Sequence, residues 1–164
     1  FATPYVLSAG LTCSLLAMSI TAAFYGRIQR IFNQPNQHIA GLLIIASGFV
    51  AFALGIANIN VLALILVLCV MGIGFGLLRP NIVAWVFSTI SASERHSAMG
   101  KLTTVFFSAQ FIAPFIVYPL VRFAGLQTLW LCFGFICGLV SAYLIASTMQ
   151  TKQNCSTSAE LAKG

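Results

Sequence analysis

VLALILVLCVMGIGFGLL, residues 61–78, contains no charged side chain and no polar side chain that needs water. At about 1.5 Å of rise per residue a helix over these residues is ~27 Å long, close to the ~30 Å of hydrocarbon in a bilayer. The stretch lacks the alternation of a membrane strand, so a spanning helix is the reading. Working outward, the uncharged run reaches back to residue 31, and residues 1–26, 102–121 and 123–151 are likewise free of Asp, Glu, Lys and Arg. Hydrophobic residues make up 60% of the 164, and only 6% are charged, against roughly a quarter in soluble domains. A single water-exposed domain of this length would have no use for so much apolar surface. The fold class is all-α integral membrane, with five spans.

Turn residues divide the runs. Helices are expected at about 4–26, 38–57, 60–90, 100–122 and 126–148, with a polar tail at 150–164. The punctuation is Asn33-Gln34-Pro35-Asn36-Gln37, Asn58-Ile59-Asn60, Ser91 through His96, and Gly125 with Gln127. Basic residues then orient the spans. Arg27, Arg30, Arg95, Lys101, Lys152 and Lys163 share one side and Arg122 alone marks the other, with Arg79 set aside as intramembrane. Lys and Arg collect on the cytoplasmic side, so the first and third connections and the tail are expected there. The localisation that follows is a multi-pass position in the cell membrane, the inner one in a bacterium. The chain opens at Phe1 already within an apolar stretch, without a basic leader or a small-residue cleavage site, so further chain is expected upstream.

Polar residues in a span face protein or water, not lipid. By that rule the second helix, with Ser47 as its one hydroxyl, and the fifth, with little beyond Thr128 and Ser141, face lipid. Ser8, Thr12, Ser19 and Gly26 on the first helix, and Thr103, Phe107, Gln110 and Pro114 on the fourth, form stripes expected to face protein or a cavity. Gly41, Gly48 and Gly55, and the pairs Gly72/Gly76 and Gly134/Gly138, fit close helix packing. Pro80, Pro114 and Pro119 each remove an amide donor and should bend their helices.

Several function classes lack support. The net charge of +6 is scattered over loops and chain ends instead of one face, which argues against nucleic acid. Four of the five cysteines, Cys13, Cys69, Cys132 and Cys137, sit in apolar runs and behave as small hydrophobes. His38 and His96 are placed at loops, with no carboxylate at a metal-binding spacing, and no cofactor is implied. The Gly-Ile-Gly-Phe-Gly run lies mid-helix and is followed by no Lys-Ser/Thr, so it is not a phosphate loop. Asn154-Cys155-Ser156 fits a glycosylation acceptor, but on the cytoplasmic side it would be silent. No nucleophile constellation is present, and the chain is not expected to be an enzyme.

From Gly72 to Leu120 the sequence resembles the tenth helix, following loop and eleventh helix of the major facilitator superfamily, most closely its drug-efflux, proton-antiporter branch. Gly72, Gly74, Gly76 and Pro80, then Glu94-Arg95 with Ala98 and Gly100, then Gln110 and Pro114 carry the resemblance. Gly26-Arg27-Ile28-Gln29-Arg30 stands where that family places a basic loop after its eighth helix, though without the family's acid. The resemblance implies that the five spans are the eighth to twelfth helices of a twelve-helix carrier working by alternating access. The first seven helices would then be missing, and any coupling acid would lie in the missing amino-terminal half.

The function expected is secondary transport of a small molecule, outward in exchange for protons. The alternative is a non-transporting polytopic anchor or assembly subunit, which the scarcity of intramembrane ionisable groups would suit. Cavity candidates are Arg79, Asn81, Thr103, Phe107 and Gln110; cytoplasmic gating candidates are Arg27, Glu94 and Arg95. For Glu94 and Arg95 a solvated loop pair of little energetic weight is the competing expectation. Two readings of Arg79 stand. Near the interface it snorkels to water; deeper, it needs a counter-charge, which no acid in these spans supplies, so an anionic substrate or a carboxylate of the missing half would meet it.

Overall fold

The computed structural model describes residues 4–32, 34–55 and 60–161. They form five helices, α1 (Pro4–Ile31), α2 (Gln34–Ala53), α3 (Val61–Thr89), α4 (Arg95–Ala124) and α5 (Leu126–Leu161). Each contains a stretch long and apolar enough to cross a membrane. The chain is a multi-pass helical membrane protein.

The helices start and stop at different residues from those the turn signals mark. α1 continues through Arg27 and Arg30 to Ile31, because both arginines are good helix formers. Pro35 sits at the second position of α2, where its missing amide would be unsatisfied in any case, so it opens a helix instead of breaking one. That puts His38 inside α2 and not in a loop. α2 ends at Ala53, four residues early, and Gly55 turns the chain with φ 73°, so it is a helix-terminating glycine and not a packing one. α4 starts at Arg95, which places His96 in its first turn. α5 runs on through the expected tail to Leu161.

Four helices stack in a row, α1 against α3, α3 against α2, α2 against α5, and α4 joins at the side, touching α5 and, more lightly, α3. The glycines of α3 decide how close its neighbours come. Gly72 and Gly76 face α1, where a Cβ on Gly76 would stand 2.6 Å from the Met18 carbonyl oxygen. Gly74 faces the other way, where a Cβ would lie 2.7 Å from Ile45 Cγ1 and 3.0 Å from the Gly41 carbonyl oxygen. Without side chains in between, backbones approach and van der Waals contact replaces the hydrophobic drive that lipid removes. Between α2 and α5 the contact is aromatic: Phe49 stacks on Trp130 and Phe133, with centroids 5.7 and 5.6 Å apart. Gly134 takes part there, 3.3 Å from Val50 at its would-be Cβ, whereas Gly138 meets nothing and is no packing glycine.

Two expectations about helix faces change. α2 was expected to face lipid, but it lies between α3 and α5 with Gln37, Gly41, Ile45, Ala46, Gly48 and Ala53 buried. Beyond its first turn, a stripe of Ala40, Leu43, Ser47 and Val50 is left exposed on it. α5, at the end of the row, turns Leu129, Gly134 and Ser141 inward but leaves Leu131, Phe135, Ile136 and Leu139 exposed, a broad outward face as expected. A helix poor in polar groups is not thereby peripheral, since small residues suffice for contact. On α1, Thr12, Ser19 and Gly26 are exposed, with the two hydroxyls donating to Ser8 and Leu15 carbonyls of their own helix. Its packing face instead carries Gly10, Ser14, Met18 and Tyr25.

Candidate functional site

α3 continues past Pro80 to Thr89, so Arg79 stands ~15 Å short of the helix end and is not its terminal anchor. Beside it, between α3 and the amino-terminal half of α4, is a pocket of about 300 Å³. Arg79, Pro80 and Val83 line it from α3, and Met99, Leu102, Thr103, Phe106, Phe107 and Gln110 from α4. Four of the five cavity candidates therefore meet in one place. The Arg79 guanidinium carbon lies 5.5 Å from the centre of the Phe106 ring, a cation–π contact that holds the charge against the wall while leaving the side chain exposed. The remaining polar groups, Thr103 and Gln110, are neutral, and no lining residue is acidic. Such a pocket has one fixed positive charge, two neutral hydrogen-bonding side chains and an apolar, aromatic remainder.

Asn81 is the correction. It is completely buried on the opposite side of α3 and does not line the pocket. Its Oδ1 accepts from the Tyr25 hydroxyl at 2.9 Å, and its Nδ2 donates to the Gln34 carbonyl at 2.9 Å. The second Nδ2 hydrogen faces His38 Nδ1 at 2.7 Å. One side chain thus ties three helices. The cause is helical geometry: two residues turn the helix by about 200°, so Arg79 and Asn81 point apart.

The gating candidates are separate from the pocket and from each other. Arg27 lies over the Phe24 ring at 5.5 Å, within α1. Glu94 accepts from the Ser91 hydroxyl at 2.8 Å, and Arg95 lies 6.0 Å above the Phe87 ring. Glu94 and Arg95 each have another partner and do not form an ion pair with one another.

Sequence reasoning missed Phe106 while naming its neighbour Phe107. The face Met99, Thr103, Phe106 and Gln110 has the same spacing as the stripe through Phe107 and Pro114, so periodicity alone supports both. It also missed His38 and Tyr25, whose only signal is being polar at the ends of apolar runs. Among the described residues no group of His, Cys, Asp and Glu is arranged to hold a metal.

A bundle of membrane-length helices with a ligand-sized, charged recess between two of them defines the class of polytopic membrane proteins that handle small molecules. The profile of the Major Facilitator Superfamily matches residues 2–161, and the chain belongs to that family of transporters. No curated protein and no solved structure matches it.

Proposed function

We propose that the α3–α4 pocket contacts the substrate of a secondary carrier and that the substrate bears a single anionic group, met by Arg79. The observation that carries this is an exposed guanidinium on the wall of a pocket without any acid to neutralise it. A charge at membrane depth costs at least about 2.5 kcal/mol unless it meets a counter-charge or water, so an anion entering this recess relieves a cost the apo protein bears. Thr103 and Gln110 would orient the polar end, and Phe106 and Phe107 would pack against the apolar body. The family resemblance of α3 and α4 further supports outward movement in exchange for protons, with α1 to α5 as the eighth to twelfth helices of a twelve-helix carrier. The end bearing Arg27, Arg30, Arg95 and Lys101 would then be cytoplasmic, and Glu94 and Arg95 would act at its surface.

The test is uptake, into proteoliposomes holding the full-length carrier, of three probes with one carbon skeleton, benzoate, benzyl alcohol and benzylamine. Saturable uptake of the anion alone, abolished in Arg79→Ala and weakened in Arg79→Lys, is the expected outcome, because lysine keeps the charge but not the planar fork. Preference for the amine, or uptake indifferent to both variants, would overturn the assignment.

A further inference from the structure

On the far side of α3 from the pocket, Asn81, His38, Tyr25 and the Gln34 carbonyl form a hydrogen-bonded cluster joining α1, α2 and α3. Its bonds specify where a proton is missing. The Asn81 amide donates one hydrogen to the Gln34 carbonyl, and its other donor hydrogen points at His38 Nδ1. The reverse amide orientation would set Oδ1 against the Gln34 carbonyl oxygen at 2.9 Å, two acceptors with no hydrogen between them. His38 Nδ1 must therefore accept, and the neutral ring carries its proton on Nε2.

We infer that His38 Nδ1 is a proton-binding site whose occupation breaks its bond to Asn81 and loosens α3 beside Pro80. The inference rests on the proposed function for its meaning, as the proton site of an exchanging carrier. Its chemistry is a single proton transfer: water at the half-buried ring delivers H⁺ to the Nδ1 lone pair, and imidazole becomes imidazolium. Nδ1–H and the Asn81 amide are then two donors 2.7 Å apart. The Gln34 carbonyl oxygen, 3.4 Å from Nδ1, is the other acceptor within hydrogen-bond distance, and Asn81 already donates to it. A ring that accepted from Asn81 becomes its competitor, and Asn81, which has no exposed surface, is left with one Nδ2 hydrogen unpaired.

Among the described side chains, the titratable groups of the packed helices offer no rescue. α1 brings Tyr25, Arg27 and Arg30, α3 brings Arg79 on its opposite face, and α5 brings the exposed Tyr143. Of these only Tyr25 reaches the cluster, through Asn81, and none is an acid. The strain falls on the weakest point of α3, because Pro80 has no amide to donate to the turn before it. Asn81 follows Pro80 directly and Arg79 precedes it, so a bend there moves the pocket's charge. Proton occupancy on one face is thereby linked to anion contact on the other.

The experiment uses the protein in lipid nanodiscs with ¹⁵N-labelled histidine, and a Trp130→Phe background in which Trp85, one turn beyond Asn81, reports on α3. Neutral His38 should show a bare Nδ1 and a protonated Nε2. Across an acid titration, Trp85 emission should change along the same curve as the His38 nitrogen signals. His38→Gln, whose side-chain carbonyl can still accept from Asn81, should lose the transition, and His96→Gln should keep it. A neutral His38 protonated on Nδ1, or a Trp85 transition unchanged in His38→Gln, overturns the inference. Benzoate binding decides separately: binding without a His38-linked transition removes only the proton site, and a transition without binding removes only the anion pocket.

Discussion

Arg79 and Asn81 are two residues apart on α3 and occupy opposite environments. Arg79 is exposed in a pocket whose other wall, α4, has no buried residue; Asn81 has zero exposure and fastens α3 to both neighbours. One face of α3 is thus built for contact with something that comes and goes, and the other for contacts that persist. The lesson concerns polarity in membranes. An arginine is too costly to bury without a partner, so it stays where water or ligand reaches, whereas an amide is fully satisfied by three protein groups.

The contrast predicts that substitutions on the two faces separate stability from transport. The largest effect should come from Gly76→Ile on the packed face, whose Cβ alone meets the Met18 carbonyl oxygen at 2.6 Å. Forcing α1 and α3 apart should cost about 3 kcal/mol or more, seen as a loss of monodisperse protein in detergent and a lowered melting temperature. On the pocket face, Arg79→Ala should leave the melting temperature unchanged and lower anion affinity by about 1.5–3 kcal/mol, more than tenfold in a binding isotherm. If Arg79→Ala unfolds the protein instead, the division between the faces is wrong.

Smaller effects sharpen the same division. Asn81→Ala removes the tie and strands Tyr25, Gln34 and His38, and should cost about 1–2 kcal/mol of stability, measured by unfolding in mixed micelles. Phe106→Leu deletes the ring beneath Arg79 and should weaken anion binding by about 0.5–1 kcal/mol while leaving unfolding unaffected. The smallest change is expected at Gly138→Ala, where the added methyl meets nothing within 4 Å. Better helix propensity there is worth up to about 1 kcal/mol in the stabilising direction, a small upward shift in the melting temperature.

The sequence by itself determined the solvent, the number of spans and the alternation of their ends. Uncharged runs of membrane length leave no other way to satisfy the backbone in lipid than helices. It also determined most of the pocket, because Arg79 is the one charge deep in an apolar run and Thr103, Phe107 and Gln110 recur at helical spacing on one face. What it left open was which face of each helix meets which neighbour. α2 carries almost no polar signal yet is held on two sides, while α4, with its polar stripe and two prolines, is barely held at all. Asn81, a cavity candidate from sequence, belongs to the packed core by rotation about α3. Only the tertiary structure decided these, because lipid is as apolar as leucine and gives no hydrophobic ranking of faces. Contact is settled there by shape, by which glycines lie opposite which backbones, and by whether a buried amide finds its Tyr25, Gln34 and His38 on two other helices.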